Sequence, residues 1–314
     1  MQLKFGSVPV VVASFAEMAK QFLKTHDHIF ACRPQTAAGK YTTYNYTNIS
    51  WAPYGPYLHQ GRKIYLSVLF SSKQLESFEY IRVEERHALL SRLCALSRKP
   101  IRLKEHLSRL TLSVISRIVL GKKYFSESEY ESSIVTLKEF QDMLDELFLL
   151  NGVLNIGDWI PWLDFLDLQG YVKQMKAITK KFDRFHDHVI GEHKAKRESV
   201  KDFVPKDMVD LLLQLADDPN IDVKLTYDNI KALTQRQNFE LLPFGSGRRM
   251  CPGYSLGLKM ISSSLANMLH GFEWKLPDNM KSEDLNMEEI YGLATPRKFP
   301  LVAVLKPRLP LHLY

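Results

Sequence analysis

The chain has 314 residues, of which 45% are hydrophobic and 25% charged, a composition typical of a globular protein with a buried core. Its net charge of +7 is compatible with a solvated basic face, an acidic protein partner or an anionic membrane surface. No basic stretch is interleaved with aromatic residues, so nucleic acid is not an expected partner. Three widely spaced cysteines predict neither a disulfide framework nor a zinc site, and no apolar run approaches the roughly 20 residues of a membrane span.

Apolar periodicity predicts a mostly helical chain with small β pieces. Residues 1–13 are expected to form a β-hairpin around Gly6 and Ser7, and residues 31–58 a long, tyrosine-rich loop. A strand is predicted within residues 290–304. The predicted helices cover residues 15–25, 60–70, 75–96, 103–120, 131–150, 170–197, 207–215, 226–235 and a segment from 253 onward.

The run LPFGSGRRMCPG, residues 242–253, places one thiol directly before the last predicted helix. A cysteine is ordinarily a small buried hydrophobe. A helix N-terminus and nearby guanidinium groups, here those of Arg248 and Arg249, favour the thiolate instead. Three glycines permit positive φ and close approach to a flat ligand: Gly245, Gly247 and Gly253. The pattern predicts that Cys251 is held against a large, partly anionic cofactor, with Phe244 covering the sulfur.

The spacing Phe244-x-x-Gly247-x-Arg249-x-Cys251-x-Gly253 resembles the haem-binding signature of the cytochrome P450 family at every defined position. The resemblance implies that Cys251 is the axial ligand of the haem iron and that Arg249 contacts a haem propionate. Phe244, Gly247 and Gly253 would complete the cofactor-binding loop. A thiolate ligand pushes electron density onto iron and favours O–O cleavage.

The resemblance extends along most of the chain, to plant microsomal members of the family. It implies one incomplete cytochrome P450-like domain over residues 1–314, mainly α with small β-sheets. Residues 1–235 resemble the N-terminal half and residues 236–314 the C-terminal haem-thiolate segment. The similar segments are 51–57, 60–63, 203–210 and 291–298.

Three departures from the family pattern stand out. The membrane anchor expected before Met1 is absent. In the family's Trp-x-x-x-Arg motif, Leu58 replaces the Trp, while Arg62 is present and would contact the second haem propionate. Residues 226–235 resemble the start of the helix across the distal haem face, and they run straight into residues 236–240, which resemble the approach to the Cys251 loop. The oxygen-activating motif and the Glu-x-x-Arg motif are missing, so no catalytic residue is assigned. We expect neighbouring helices to expose apolar faces.

Other residue groups have weaker functional interpretations. His186 and His188 point about 200° apart on a helix, so with His193 they predict a solvated helix face rather than a metal site. Trp159 and Trp162 are expected to pack at a corner between helices, with contact to a membrane as the alternative. For two segments that resemble substrate-contacting regions, packing is an equal alternative: Tyr41, Tyr44 and Tyr46, and residues 290–295.

The resemblance implies a haem-thiolate monooxygenase that inserts one atom of O₂ into a small apolar substrate of phenolic or isoprenoid type. Its cofactor would be haem b, and its electrons would come from NADPH through a reductase-like flavoprotein docking on the basic side. Its place would be the cytoplasmic face of the endoplasmic reticulum membrane, with the cytoplasm as the alternative because the chain has no predicted span. The alternative functions are a non-catalytic truncated remnant that binds haem weakly or not at all, and a haem-binding sensor or carrier.

Overall fold

A computed structural model of the chain describes residues 1–126, 134–234, 244–245 and 247–314. Its helices are α1 Ala16–Lys20, α2 Ala37–Thr42, α3 Pro56–Ile64, α4 Ser72–Ser77, α5 Glu79–Ala95, α6 Leu103–Leu120, α7 Leu137–Gly152, α8 Ile156–Trp159, α9 Tyr171–Ser199, α10 Met208–Ala216, α11 Tyr227–Thr234 and α12 Tyr254–Gly271. Its strands are β1 Gln2–Phe5, β2 Val8–Val11, β3 Pro100–Arg102, β4 Phe125–Ser126, β5 Val135–Thr136, β6 Phe272–Lys275 and β7 Val302–Pro307. The predicted fold class, mainly α with small β-sheets, is confirmed.

The chain divides into two compact units. Unit 1 consists of Met1–Ser67, Asp142–Pro252 and Gly292–Ala294. Unit 2 consists of Val68–Gln141, Gly253–Tyr291 and Thr295–Tyr314. The single domain over residues 1–314 stays a prediction.

The long helix α9 is the centre of unit 1. Both carboxylate oxygens of Asp167 accept backbone N–H groups at its start, from Val172 and Lys173 at 3.0 Å each. The helix buries one apolar stripe at three- and four-residue spacing: Val172, Met175, Ile178, Phe182, Phe185, Val189 and Ile190. Each large apolar side chain buried in this way stabilises the fold by about 1.5–3 kcal/mol. The periodicity that predicted this helix therefore also identifies its core-facing side.

The predicted β-hairpin of residues 1–13 is confirmed as the antiparallel pair β1 and β2. Gly6 makes the turn at φ 57°, and a Cβ there would lie 2.2 Å from the Trp159 carbonyl oxygen. The Ser7 N–H donates to the same oxygen at 2.9 Å, and the Phe5 ring meets the Trp159 ring edge-on at 5.3 Å. Trp159 therefore packs against the hairpin turn, which needs glycine because backbone approaches backbone.

Unit 2 combines α5, α6 and a three-stranded antiparallel sheet in the order β3-β7-β6. Its most buried apolar side chains, with at most 1% exposure, are Leu89, Leu93, Val114, Ile118, Leu256, Phe272 and Leu305. Helix α6 ends at Gly121, whose φ of 76° is the left-handed conformation that glycine supplies after a helix.

Four predicted boundaries are wrong. The loop of residues 31–58 contains α2, which Thr36 caps by accepting the Gly39 N–H at 3.4 Å, and the start of α3. The helix predicted over 75–96 is two helices, because Phe78 leaves the helical conformation at φ −91°, ψ 9°. Helix α7 begins only at Leu137, because the two residues before it pair with β4. In the strand predicted over 290–304, pairing begins at Val302, apart from one isolated bridge between Glu289 and Arg297.

Helix α12 carries an apolar stripe that is 49–56% exposed: Leu258, Ile261, Leu265 and Leu269. The expectation that helices next to the missing segment expose apolar faces stays a prediction. Among the described residues, no helix combines the length and apolar character needed to cross a membrane.

A buried carboxylate, Glu85, links α5 to α6 and the segment after it in unit 2. It is 4% exposed and accepts hydrogen bonds from Arg117 Nη1 and Lys123 Nζ, both at 2.8 Å. Burial alone would raise the pKa of Glu85, but the hydrogen bonds and positive charges of Lys123 and Arg117 outweigh it and hold the pKa below its ordinary value. A lowered folded-state pKa means that the stabilisation is complete above the unfolded-state pKa and is lost as the pH falls through the folded-state pKa.

We expect Glu85→Gln to lower the free energy of unfolding by about 2–3 kcal/mol at pH 7, because it leaves two cations against a neutral amide. The difference from wild type should shrink as the pH falls below about 4. Urea denaturation followed by far-UV circular dichroism measures both effects. The matched control is Glu84→Gln, since exposed Glu84 shares the Arg117 partner at 2.7 Å. It should cost less than about 1 kcal/mol, and equal costs would contradict the assignment.

Candidate functional site

The loop of residues 244–252, called here the Cys loop, turns back on itself in unit 1. The Cys251 N–H donates to the Phe244 carbonyl at 2.8 Å, and the Met250 N–H donates to the Gly247 carbonyl at 3.0 Å. Phe244, Gly245 and Gly247 have left-handed φ values of 50°, 66° and 69°. Leu242, Pro243 and Ser246 of the sequence motif lie outside the described residues. The closure places the Cys251 backbone directly across from Phe244.

The glycines of the motif have different roles. A Cβ on Gly247 would lie 2.2 Å from the Leu23 carbonyl oxygen, so the close approach of two backbones requires glycine there. The predicted positive φ is found at Gly245 and Gly247. It is wrong for Gly253, which precedes α12 at φ −91°.

Arg249 anchors the Cys loop to the loop that precedes α3. Its Nε donates to the Ala31 carbonyl at 2.6 Å, Nη2 to the Ala52 carbonyl at 2.5 Å, and Nη1 to the Ile49 carbonyl at 3.4 Å. Three of its five N–H donors therefore hold buried backbone. The planar fork of arginine suits such divergent acceptors.

Arg62 approaches the Cys loop from helix α3. Its Nη1 donates at 2.8 Å to the carbonyl of Met250, the residue before Cys251. Leu58, one turn earlier, is 1% exposed and offers no polar group. The structure thus brings Arg62 to the Cys loop, close enough for its charge to act on Arg249.

Arg248 is engaged elsewhere. Its Nε donates to Asp27 Oδ1 at 2.9 Å, another N–H donates to the Tyr54 hydroxyl, and the guanidinium lies 5.4 Å from the centre of the Tyr54 ring. Of the two neighbouring arginines in the motif, Arg248 therefore pairs with a protein carboxylate and Arg249 does not.

Positive charge accumulates at this site, and the described part of the chain places no carboxylate against it. Burial, with the positive charges of Arg33 and Arg62, lowers the pKa of Arg249 to about 10. Burial also lowers the pKa of Arg62, against the opposing effect of Cys251. No carboxylate of the described residues forms an ion pair with Arg62 or Arg249.

A thiol in a loop held by two guanidinium groups, neither paired with a carboxylate of the described residues, fits a haem, whose iron accepts a thiolate and whose propionates would supply negative charge. Arg33 was not predicted as a member of this charged group. Its only signal was a basic residue in the long loop, and no spacing pattern connects it to the motif.

The predicted start of the distal helix corresponds to α11, Tyr227–Thr234. All its residues from Asn229 to Thr234 are buried, and the Tyr65 hydroxyl donates to the Leu233 carbonyl. The junction of Gln235 with Arg236, and residues 236–240, lie outside the described residues.

The solvated helix face predicted for His186, His188 and His193 is wrong for two of the three. His186 and His193 are 4% and 5% exposed, because residues seven apart fall on the same, core-facing side of α9. Burial and the charge of Lys231 lower the pKa of His186 to about 4. The Tyr44 hydroxyl lies 3.5 Å from His186 Nδ1 and donates to Asp183 at 2.7 Å. Tyr44 is therefore bonded to α9.

Comparison with known proteins gives consistent results. The family model of cytochrome P450 matches residues 1–236 and 233–302. Trimethyltridecatetraene synthase of Zea mays is 31% identical over 467 aligned positions, which cover 100% of this chain and 83% of that protein. Flavonoid 3'-monooxygenase of Petunia hybrida is 28% identical over 448 positions, covering 100% and 86%. A zebra fish cytochrome P450 solved with abiraterone has the same fold, with a TM-score of 0.74 at 14% identity, covering 98% of this chain and 95% of that one.

The comparisons also locate the internal break predicted at Gln235–Arg236. The family match is split into two blocks that meet at residues 233–236. Dimethylnonatriene synthase of Zea mays aligns at 30% identity over 460 positions, and since this chain has 314 residues, at least 146 of those positions have no residue here. With both blocks matched and a conserved fold, this internally shortened chain belongs to the cytochrome P450 family, a family of haem monooxygenases.

Proposed function

We propose that this chain binds haem through Cys251 and acts as a haem-thiolate monooxygenase on a small apolar molecule. The observation that carries the proposal is that Cys251 lies in a loop held by Arg62 and Arg249, two guanidinium groups without a carboxylate partner among the described residues. Family membership implies haem b as the cofactor and NADPH, through a reductase, as the source of electrons.

Each residue of the Cys loop and its anchors would have a separate role in holding the haem. Cys251 would bind the iron, and Arg249 and Arg62 would each hold a propionate while keeping their bonds to backbone carbonyls. Phe244, Gly247 and Gly253 would shape the loop that supports the macrocycle. When bound, haem supplies the activation of O₂ for insertion of one oxygen atom into the substrate. This chain's contribution on the thiolate side is a rigid, positively charged loop.

The substrate class follows from the relatives. Their names describe a dimethylnonatriene synthase, a trimethyltridecatetraene synthase and flavonoid 3'-monooxygenases. These names support an isoprenoid-like or phenolic substrate for this chain. The redox partner would be a reductase-like flavoprotein whose acidic surface meets the basic surface of this protein, whose net charge is +7.

An exposed apolar ridge supports contact with the cytoplasmic face of the endoplasmic reticulum membrane. The ridge lies after α8 and consists of Trp162, Phe165, Leu166 and Leu168, which are 73%, 81%, 49% and 61% exposed. Large exposed apolar patches mark protein or membrane contacts, and here four large apolar side chains are exposed within seven residues. Aromatic side chains favour the membrane interface.

The first experiment is the carbon-monoxide difference spectrum of the reduced protein reconstituted with haem. We expect a strongly red-shifted Soret band that is lost in Cys251→Ser, because serine does not provide a thiolate ligand. Cys94→Ser, which changes a half-buried cysteine of α5, is the matched control and should keep the band. No such band in the wild type would favour the second candidate function, a non-catalytic remnant, for which the internal break is the supporting observation.

A second test separates the two neighbouring arginines. Arg249→Met should weaken haem affinity by about tenfold or more, since a hydrogen bond to a charged group contributes about 1.5–3 kcal/mol. Arg248→Met removes the same charge one residue away, but Arg248 is paired with Asp27, so haem affinity should change less than threefold, that is by under about 0.7 kcal/mol. Haem titration followed by absorbance measures both. Equal losses would show that only general positive charge matters.

The membrane contact is tested by co-sedimentation with vesicles of zwitterionic and anionic phospholipids. The double variant Trp162→Ser, Phe165→Ser should reduce binding by about tenfold or more, because it removes two large apolar groups from the interface. The control is Phe299→Ser, Leu311→Ser, at positions 50% and 72% exposed outside the ridge. Unchanged binding of the ridge variant would refute this assignment.

A further inference from the structure

His193 on α9 lies beside the N-terminal end of α10, where it faces two carboxylates. Its Nε2 is 3.1 Å from Asp207 Oδ2 and 3.9 Å from Asp210 Oδ1. The three ligand atoms lie within 4.8 Å of one another, and all three residues are buried. Two atoms bound to one zinc ion at about 2.1 Å lie roughly 3.4 Å apart in tetrahedral geometry. The two measured distances from Nε2 bracket that value.

Backbone hydrogen bonds hold each of the three side chains in place. His193 Nδ1 lies 2.8 Å from the Val189 carbonyl, so Nδ1 carries the proton and Nε2 is directed at the carboxylates. Asp207 Oδ1 accepts the Asp210 N–H at 3.0 Å, which leaves Oδ2 facing His193. Asp210 Oδ2 accepts the Lys206 N–H at 3.1 Å, which leaves Oδ1. A metal-binding histidine is ordinarily oriented in this way by a carbonyl on its other nitrogen.

The second observation is an unsatisfied buried oxygen. Asp210 is 1% exposed, and its Oδ1 has no hydrogen-bond partner among the described residues. A proton on His193 Nε2 bonds to Asp207 but not to Asp210 Oδ1, because 3.9 Å exceeds hydrogen-bond distance. Leaving a buried carboxylate oxygen unpaired is unfavourable. One divalent cation would satisfy Nε2 and both carboxylates together.

We propose that His193, Asp207 and Asp210 form a buried site for one divalent metal ion of the zinc class. One nitrogen and two oxygen donors, with water as a fourth ligand, match what zinc accepts. The ion would fasten α9 to the start of α10 and so stabilise this part of unit 1. The nearest competing charge is Lys196, which is 48% exposed and whose Nζ lies 4.0 Å from Asp210 Oδ2.

The test is zinc binding by the full chain, purified without a histidine tag and titrated with zinc chloride by isothermal calorimetry. We expect Asp210→Asn, which keeps the shape of the side chain, to weaken binding by more than tenfold. Asp217→Asn, directly after the end of the same helix, is the matched control, because exposed Asp217 pairs with Arg197 at 2.7 Å, and it should bind as wild type does. Zinc should also raise the thermal midpoint of wild type but not that of Asp210→Asn.

A third variant tests the proposal even if Asp210→Asn fails to fold. Lys196→Gln removes the competing charge from an exposed position, so zinc should bind several-fold more tightly than to wild type. Equal affinities of wild type and Asp210→Asn would assign any bound zinc to the cysteines or other surface groups and overturn the proposal. The absence of binding by wild type and Lys196→Gln would overturn it too, leaving His193 as an imidazolium between two carboxylates.

Discussion

The guanidinium of Arg249 joins the Cys loop to the loop before α3, and the geometry of the candidate site depends on that junction. It binds the carbonyls of Ala31, Ile49 and Ala52, three buried residues that would otherwise leave unpaired acceptors, each at a cost of about 1–3 kcal/mol. Arg62 makes a similar bond to Met250. Both arginines therefore position the loop through their hydrogen bonds and charge it at the same time. The Cys251 N–H bond to Phe244 completes a loop whose two ends and middle are all fixed.

The same arginines make the site electrostatically incomplete. A partly buried positive charge with no anion beside it among the described residues is unfavourable, and the lowered pKa values of Arg62 and Arg249 express that cost. Arg248, one residue away, has Asp27 as its counter-ion, so its positive charge is matched. A dianionic cofactor at this position would remove the cost, so cofactor binding and the stability of the Cys loop are coupled. The loop is thus built for a ligand that carries negative charge.

The sequence predicted those features that local physics determines. The hairpin around Gly6, the helices α6, α9 and α10, and the left-handed glycines of the Cys loop follow from turn chemistry and apolar periodicity. The wrong predictions concern features that depend on contacts with residues distant in the sequence. Strand β7 pairs with β3 and β6, so nothing local could place its start at Val302 rather than near residue 290. The buried state of His193 depends on Asp207, which belongs to the next helix. Arg33 joins the charged group through folding of its loop, and no spacing connects it to the motif.

The internal break has different consequences for the two parts of the proposed activity, which are haem binding and turnover of substrate. Several contacts that hold the Cys loop come from residues that precede the break: Leu23, Asp27, Ala31, Ile49, Ala52, Tyr54 and Arg62. These contacts on the proposed thiolate side are made without the alignment positions that this chain lacks. Catalysis also requires exclusion of water on the opposite side of the cofactor. The family match is interrupted at residues 233–236, in the segment whose sequence resembles the helix across the distal face. We therefore propose haem binding and turnover as separable functions: the residues named for the first lie in the Cys loop and its anchors, and the second also needs the opposite side of the cofactor.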